Sequence, residues 1–402
     1  MTHVHHAAAP AATPQAVRLV CPVCGSPEER PVVRLRRVPV MCGTLHATRE
    51  EALAAEVGDI ELVACPRCSM LRNATFDERR IGYDAGYDNS LHFSPTFQAY
   101  AHGLARRLVE RYDLHGVPIL EIGSGKGDFL RELCLLGGNR AWGYDPSYAG
   151  EPDTLDDDVT FVAGYFSGEL PAAPRLVCAR HVLEHLAEPA QLLGSVRHAA
   201  GAETVLYVEV PDAAYVLTPR GIFDLIYPHV GYFTATALRH LIERCGFAPL
   251  EMATSFGGQY LWVEALNAAA DPPAEPPRHE VEAVLERSAA FTAEARDMVA
   301  RWSERLADAE AAGRRVALWG AGSKGVTFLN VVPGGDRVAD VIDVNPRKRG
   351  TFVPGTGQMI SGPDEVGRLA PDLVIVMNPN YEAEIRGALD QAGLDAAAVA
   401  VI

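Results

Sequence analysis

The stretch ILEIGSGKGDFL, residues 119–130, contains an apolar strand, a glycine-rich turn and the start of an amphipathic helix. Gly123, Gly125 and Gly127 let the backbone approach a ligand closely, with the N-terminus of the helix directly behind the turn. The next predicted strand ends in Asp145, about 20 residues after the turn, where a carboxylate can accept both hydroxyls of a ribose. The pattern predicts a parallel α/β domain that binds an adenosine-containing ligand.

The residues around this turn resemble motif I of class I S-adenosylmethionine methyltransferases, because Glu121 stands just before the glycines. Three later segments agree with that resemblance: FVAGYF (161–166), RLVCARHVLEHLAEP (175–189) and TVLYVEVPD (204–212). The resemblance covers roughly residues 99–268 and implies a Rossmann-like core that binds S-adenosylmethionine. It implies the following cofactor-binding residues: Glu121, Gly123, Ser124, Gly125, Gly127, Asp145, Pro146, Tyr165, Phe166, Arg180 and His181.

The segment HVLEH also matches a metallopeptidase pattern, through His181, Glu184 and His185. That chemistry needs both histidines on one helical face and a third ligand elsewhere. The segment instead follows an apolar strand, where a methyltransferase places loop residues beside the methyl donor. We therefore expect His185 to line the reaction chamber and Glu184 to be a loop acid or a structural cap.

Four of the eight cysteines form two close pairs, Cys21 with Cys24 and Cys65 with Cys68. Two Cys-x-x-Cys turns present four thiolates toward one point and can complete a tetrahedral zinc site. A disulfide framework and a redox pair are the competing interpretations, but a cytoplasmic chain disfavours disulfides. We expect a structural Zn²⁺ that folds a small N-terminal domain and leaves no open position for catalysis.

The C-terminal part of the chain resembles the family of sugar C-methyltransferases that act on carbon 3 of nucleotide-linked 4-keto deoxysugars. The segments that carry this resemblance are WGAGSKGVTFLN (319–330), VIDVNPRKRGTFVPGTGQMI (341–360) and PDLVIVMNPNY (371–381). The preceding order, cysteine pairs and then a methyltransferase core, agrees with it. The resemblance implies a role in natural-product biosynthesis and these substrate-binding residues: Gly322, Ser323, Lys324, Asn330, Asn345 and Arg347.

In that family the proposed base is a histidine in a Tyr-His-Glu-His-like segment, which corresponds here to His229 in FDLIYPHVGYFT (223–234). Tyr227 corresponds to the family's tyrosine, but this segment is one residue shorter and lacks the glutamate. The resemblance also implies catalytic roles for His185 and for Tyr83 or Tyr87. A core histidine bonded to backbone is the alternative interpretation of His229.

The C-terminal loop contains a complete Gly-x-Gly-x-x-Gly pattern, and Asp343 ends the following strand. This pattern alone would predict a dinucleotide site. The roughly 90 residues that remain are enough for one half of a doubly wound fold, which speaks against a complete NAD domain. A substrate diphosphate held near Lys324, a vestigial scaffold and an NAD site remain the three alternatives.

The 402 residues predict a disordered tail (1–16), a zinc-binding domain (17–82), the methyltransferase core (83–270), a linker with a long helix (271–312) and a C-terminal Rossmann-like domain (313–402). The net charge of −16 disfavours a general nucleic-acid surface. The N-terminus lacks the pattern of a secretory signal, and no apolar run is long enough for a membrane span, so we expect a cytoplasmic protein. Monomer and dimer remain equally open.

The expected reaction is methylation of a carbon beside a ketone in a nucleotide-linked keto-sugar, through an enolate formed with help from a histidine. An O- or N-methyltransferase of another small metabolite is the nearest alternative, because it needs no enolate-forming base. An NAD-dependent oxidoreductase centred on the C-terminal loop is a more distant one. A non-enzymatic scaffold conflicts with the presence of Glu121, the glycine turn and Asp145.

Overall fold

A computed structural model describes residues 20–83, 86–148, 150, 158–268, 274–394 and 398–402. The predicted tail over residues 1–16 lies outside these ranges, as does part of the proline-rich stretch that follows residue 268. Among the described residues, no helix combines the length and the apolar composition needed to cross a membrane.

The N-terminal unit is a small antiparallel sheet whose edge carries the two cysteine turns. Its elements are β1 (Arg30–Pro39), α1 (Arg49–Leu53), β2 (Val57–Ala64) and β3 (Leu71–Asn73). Alternate residues of β2, such as Ile60 and Leu62, are buried, as the two-residue period of a strand requires. The cysteine turns precede β1 and separate β2 from β3.

The central unit is a seven-stranded sheet with helices packed on its faces. Its helices are α2 (Pro95–Tyr112), α3 (Asp128–Gly137), α4 (Pro189–Ala199), α5 (Ala213–Val216) and α6 (Ala235–Arg244). Its strands are β4 (Pro118–Ile122), β5 (Arg140–Tyr144), β6 (Val159–Val162), β7 (Leu176–Arg180), β8 (Val205–Pro211), β10 (Ala248–Ser255) and β11 (Tyr260–Leu266); the short β9 (Gly231–Tyr232) lies between α5 and α6 in sequence.

The strand order of this sheet is β10-β11-β8-β7-β4-β5-β6. Strands β6, β5, β4, β7 and β8 are parallel, whereas β11 runs antiparallel between β8 and β10. The order reverses between β4 and β7, and ligands of doubly wound sheets bind in the crevice at this point. The predicted Rossmann-like methyltransferase fold is confirmed.

Strand β9 does not join the central sheet but pairs with β3 of the N-terminal sheet. It follows the FDLIYPH segment directly, so the cysteine-bearing unit holds the chain just beyond His229. The N-terminal sheet therefore includes a strand from beyond the predicted domain boundary between residues 82 and 83. Through this strand the N-terminal unit helps to position His229.

The long helix predicted after the proline-rich stretch is α7 (Arg278–Ala311). The C-terminal unit then contains β12 (Val316–Trp319), α8 (Ser323–Val331), β13 (Asp340–Ile342), β14 (Ile360–Ser361), α9 (Val366–Leu369), β15 (Leu373–Val376), α10 (Glu382–Gln391) and β16 (Ala398–Val401). Its five strands are parallel in the order β14-β13-β12-β15-β16. The sheet therefore has more strands than the half of a doubly wound fold that the chain length predicted. The difference arises because β14 follows β13 without a crossover helix, so a fifth strand fits into few residues.

The three units share apolar contacts. One buried cluster joins Ile60 of β2, Phe223 of the central unit, Phe291 and Trp302 of α7, and Phe328 of α8. Side chains of this size bury large apolar areas, and their burial stabilises the contacts between units. The N-terminal and C-terminal units thereby both pack against the segment of the central unit that follows β8, residues 213–232.

Candidate active site

Two glycine-rich turns line one cavity of about 1020 Å³: the first glycine loop (residues 123–127) and the second glycine loop (residues 320–325). The first lies between β4 and α3, and the second lies between β12 and α8. Both therefore stand at the carboxyl ends of the first strands of parallel sheets, where helix N-termini favour anionic or polar ligand groups. One cavity with two such walls has room for two ligands.

The first glycine loop needs its glycines for steric reasons. The φ angle of Gly123 is +73°, and a Cβ there would lie 2.3 Å from the Cγ2 atom of Val182. Gly125 also has a positive φ, and its backbone N–H donates to Oδ2 of Asp145 at 2.8 Å. Asp145 thus braces the loop while lining the cavity. The arrangement can place a ribose beside Asp145 and the rest of an adenosine-containing cofactor against the loop.

Two polar atoms behind this loop are buried without a hydrogen-bond partner, Oε2 of Glu121 and Oγ of Ser124. Burial raises the pKa of Glu121 to about 8, although the charge of Arg180 opposes this. Glu121 is therefore mainly protonated at neutral pH and can donate a hydrogen bond. Orphaned polar atoms in a cavity wall fit a polar ligand such as S-adenosylmethionine.

The predicted cofactor residues on other elements also lie on the wall of this cavity. They are Pro146, Tyr165, Phe166, Arg180 and His181. Tyr165 is 77% exposed, so its ring is free to cover a bound ligand. Arg180 forms a buried ion pair with Glu209 at 3.1 Å, so its charge is already matched within the protein.

His181 has a backbone φ of +55°, which is unusual for a residue other than glycine. Its Nδ1 atom lies 3.5 Å from Glu184 and its Nε2 atom 3.4 Å from Glu209. Burial would lower the pKa of His181, but the two carboxylates raise it to about 9. The strained residue therefore adds a positive charge to the cavity wall beside the first glycine loop.

A second group of side chains on the cavity wall has acid–base chemistry. The Tyr83 hydroxyl lies 2.7 Å from Nδ1 of His185, which is also 3.1 Å from the carbonyl oxygen of Pro228. The rings of His185 and His229 are 4.8 Å apart. Burial lowers the pKa of His185, and burial together with the charges of His185 and His181 lowers that of His229 well below its ordinary value. Both imidazoles are neutral at pH 7 and can accept protons.

Tyr87 lies on the same wall, with its ring 5.0 Å from that of Tyr83 in an edge-to-face contact. The ring also fills the space beside Gly43, where a Cβ would lie 2.6 Å from the Tyr87 Cε2 atom. Tyr83 contacts His185 directly, whereas Tyr87 packs behind it. The sequence did not decide between Tyr83 and Tyr87 as the active-site tyrosine. The geometry favours Tyr83, because its hydroxyl makes the polar contact with His185.

Tyr227 does not belong to this site, contrary to the role implied by the resemblance. Its side chain is fully buried, and its hydroxyl donates to the carbonyl of Thr75 at 3.2 Å and accepts from the backbone N–H of Asp77 at 3.1 Å. Its ring also packs beneath the Arg80 guanidinium. The side chain of Tyr227 points toward the N-terminal unit, and its hydrogen bonds there anchor the segment that carries His229.

The second glycine loop brings Gly322, Ser323 and Lys324 to the cavity wall. The Nζ atom of Lys324 lies 3.0 Å from Asp224 and 4.8 Å from the centre of the Tyr215 ring. The cation predicted to face a phosphate is therefore already paired. Because Asp224 comes from the central unit, this ion pair joins the two walls of the cavity.

The acid at the end of β13 is also paired within the protein. Asp343 accepts from the backbone N–H of Ala321 at 2.8 Å and lies 3.4 Å from Nζ of the buried Lys348. Lys348 also donates to the carbonyl oxygen of Ala321 at 3.1 Å. A carboxylate neutralised in this way is a poor partner for ribose hydroxyls, which disfavours a dinucleotide site here.

Three predicted substrate residues and one predicted cofactor residue lie outside the cavity wall within the described part of the chain. Asn330 donates to backbone carbonyls of Val326 and Pro354. Asn345 and Arg347 both bind Asp88, at 2.8 and 2.9 Å. Gly127 caps α3, and a Cβ on it would lie 2.3 Å from the Phe161 ring. These residues shape loops instead of facing a ligand.

The residues that line the cavity and that the sequence analysis missed include Trp319, Tyr381, Asp224 and Lys348. Trp319 ends β12 and Tyr381 follows β15, so both stand at the same carboxyl edge as the second glycine loop. The Nε1 atom of Trp319 and the hydroxyl of Tyr381 are buried without a partner. Their positions at strand ends were the available signal.

Two groups of side chains have the geometry to hold a metal ion. The ligand atoms of Cys21, Cys24, Cys65 and Cys68 all lie within 4.8 Å of one another and are buried. Four thiols at this separation fit the tetrahedral sulfur site that zinc prefers. The second group, Glu184 with His185 and His229, lies on the wall of the cavity.

Two protein-family models match this chain, and each matched range contains one of the two glycine loops. The model of a methyltransferase domain family matches residues 96–252, and a model described as the C-methyltransferase C-terminal domain matches residues 277–398. The chain is an S-adenosylmethionine-dependent methyltransferase. Together the two matches indicate a family of S-adenosylmethionine-dependent C-methyltransferases. A search of curated proteins found no match.

Two of the solved structures to which this chain is similar are titled as methyltransferases. Magnesium protoporphyrin IX methyltransferase from Synechocystis PCC 6803 with bound SAH is 20% identical, covering 42% of this chain and 83% of its own, with a TM-score of 0.36. The N-methyltransferase NodS from Bradyrhizobium japonicum WM9 is 17% identical, covering 44% and 99%, with a TM-score of 0.35. At these TM-scores the likenesses carry no information about the substrate of this methyltransferase.

Proposed function

We propose that this methyltransferase transfers a methyl group from S-adenosylmethionine to a carbon beside a carbonyl of a small molecule, most consistently a nucleotide-linked keto-sugar. The observation that carries the proposal is the shared cavity, in which both glycine loops and the pair His185 and His229 form the wall. A donor fits against the first loop and an acceptor against the second. The match to a C-methyltransferase C-terminal domain supports carbon as the methylated atom.

A carbon beside a ketone becomes nucleophilic only when it loses a proton. We assign this proton to a ring nitrogen of His229, and the electron pair of the broken C–H bond moves onto the carbonyl oxygen as an enolate. Tyr83 can donate a hydrogen bond to that oxygen, because it lines the cavity near His229, while Nδ1 of neutral His185 donates to the carbonyl oxygen of Pro228. When bound, S-adenosylmethionine supplies an electrophilic methyl group and a neutral leaving group.

The remaining residues position the two reactants. Gly123, Gly125 and Asp145 hold the donor, and Glu121 behind the loop supplies a polar contact to it. On the acceptor side, the N-terminus of α8 and Lys324 face the anionic part of the molecule, while Trp319 and Tyr381 offer free donors. Holding both reactants in one cavity removes much of the entropic cost of the transfer.

We assign the four-cysteine site to zinc, with a structural role. It lies in the N-terminal unit whose sheet pairs with β9, directly after the segment that carries His229. A closed sulfur site offers no coordination position to a substrate. The ion therefore acts through the fold of the N-terminal unit.

Methylation of oxygen or nitrogen is the second candidate, and the absent glutamate in the Tyr-Pro-His segment favours it. Hydrogen exchange separates the two. The enzyme is incubated in D₂O with S-adenosylhomocysteine and a dTDP-linked 4-keto deoxysugar, and NMR follows deuterium entry beside the carbonyl. Carbon methylation predicts exchange that His229→Asn lowers by about 100-fold or more. Absence of exchange in a complex that binds both ligands would contradict carbon methylation.

A further inference from the structure

The carboxylate of Glu184 is buried on the cavity wall without a hydrogen-bond partner on either oxygen. Only 1% of the residue is exposed. It lies on the single helical turn Leu183–His185 that follows β7. His181 lies 3.5 Å from one oxygen, at the limit of hydrogen-bond distance, so the carboxylate has capacity left to face a further positive charge.

That carboxylate has two imidazoles beside it. One oxygen of Glu184 and one ring nitrogen each of His185 and His229 lie within 4.8 Å of one another. The Nδ1 atom of His229 is also buried without a partner. Groups that can accept protons, and that make no hydrogen bonds with one another, therefore face a common point.

A proton placed on His229 needs a counter-charge. The ring is partly buried, and burial and the neighbouring histidines lower its pKa, so an isolated imidazolium there is unfavourable. Attraction between opposite charges at this separation is strong inside a protein, because the effective dielectric constant is low. Glu184 is the carboxylate that the fold brings to this position.

We propose that Glu184 is a positioning residue that neutralises the imidazolium formed when His229 takes the proton from the acceptor carbon. The inference rests on the proposed function, in which His229 is the base, and it identifies the residue that carries the opposite charge. The Tyr-Pro-His segment lacks a glutamate of its own, and Glu184 supplies one from the loop after β7. In this step the C–H bond breaks, its electron pair moves onto the carbonyl oxygen as the enolate, and the proton stays on the ring nitrogen of His229 until it leaves to solvent.

Other charged and titratable groups also face this point. On the loop after β7, His181 contacts Glu184 at 3.5 Å and His185 is its sequence neighbour. Tyr83 approaches from the N-terminal segment, and Glu209 of β8 balances His181 at 3.4 Å. Glu184 therefore already faces one cation, His181, and Glu209 faces two, Arg180 and His181. A proton on His229 would place a second cation beside Glu184.

The test compares deuterium exchange in wild-type enzyme and Glu184→Gln, which keeps the shape of the side chain. We expect the maximal exchange rate to fall about 100-fold, while S-adenosylhomocysteine affinity and the acceptor KM stay near wild type. The acid limb of the pH–rate profile should move to lower pH, because the imidazolium loses its counter-charge. Glu184→Asp should recover part of the rate.

The matched control is Glu169→Gln, which removes an exposed carboxylate from outside the cavity wall. The control should exchange like wild type. Wild-type exchange and an unshifted profile in Glu184→Gln would overturn the inference but leave the proposed function intact, whereas absence of exchange in the wild type would contradict the proposed function itself. Metal analysis adds a second decisive outcome: loss of an ion beyond the cysteine-bound one in Glu184→Gln would make this cluster a metal site and overturn the inference.

Discussion

At the scale of single residues, the donor side of the cavity depends on a balance of buried charges. Arg180 and His181 are positive, and Glu209 and Glu184 lie beside them. Burial would raise the pKa of Glu209, but Arg180 and His181 lower it to about 2. The charges therefore cancel within the protein, and Glu121, which has no such balance, stays protonated at neutral pH.

The raised pKa of Glu121 predicts a pH-dependent stability. Its folded pKa of about 8 exceeds its ordinary value of 4.5, so the stabilising effect of protonation is complete below pH 4.5 and is lost as pH rises through 8. Between pH 6 and 8.5 the unfolding free energy of the ligand-free enzyme should fall on the order of 2 kcal/mol. The Glu121→Gln variant should not show this fall, because its side chain does not ionise. Urea unfolding at several pH values measures this, and parallel losses in both proteins would contradict it.

Tyr227→Phe separates a structural tyrosine from a catalytic one. The hydroxyl bonds Thr75 and Asp77 in the N-terminal unit, so its loss should lower the unfolding free energy by about 1–2 kcal/mol. Methyl transfer per folded enzyme should remain near wild type. If kcat falls about 100-fold while donor binding stays normal, Tyr227 has a catalytic role after all.

More of the residues expected to bind the donor lie on the cavity wall than of those expected to bind the acceptor. Glu121, the glycines and Asp145 lie close in sequence and on adjacent strands, so spacing alone brings them together. The orientation of Tyr227 depends on contacts with residues about 150 positions away, and spacing carries no such information. Arg347 and Lys324 looked like free cations because their partners, Asp88 and Asp224, are distant in sequence.

At the scale of elements, the turn between β4 and α3 is the most constrained part of the donor site. Gly123→Ala places a Cβ 2.3 Å from Val182 and at a positive φ, so the loop must shift. We expect S-adenosylhomocysteine affinity to fall at least about tenfold. Calorimetry measures the change, and Gly194→Ala, at an open helical position, is the control. Equal affinities in both variants would show that this turn does not hold the donor.

The cysteine turns make a prediction about the element that carries His229. Cys65→Ser should lower the bound zinc from about one equivalent to none and loosen the sheet that contains β9. Metal analysis gives the stoichiometry, and amide exchange of residues 229–232 reports the loosened strand. Retention of the full zinc content would exclude the four-sulfur site.

The long helix followed from the sequence, whereas two short strands did not. The period of apolar residues predicted α7 closely, because a long helix needs only local information. Strand β9 is only two residues long, and its partner β3 lies far away in sequence, so no local pattern marks it. The extra strand of the C-terminal sheet was missed for the same reason, since β14 is equally short.

At the scale of the whole molecule, an ion pair between Lys324 and Asp224 joins the two units that form the cavity. Lys324→Met should raise the KM of a nucleotide-linked acceptor about tenfold and leave donor affinity unchanged. Because the change leaves Asp224 unpaired, the double variant with Asp224→Asn controls for that buried charge. A KM restored to wild type in the double variant would show that Lys324 only joins the units.

The central claim is that donor and acceptor meet in the cavity between the two glycine loops and that carbon is methylated. The most direct measurement uses S-adenosylmethionine labelled with ¹³C in its methyl group, a dTDP-linked 4-keto deoxysugar and ¹³C NMR of the product. The account predicts a methyl resonance coupled to a neighbouring sugar carbon when that carbon is also labelled. A transferred methyl group attached to oxygen or nitrogen would contradict it.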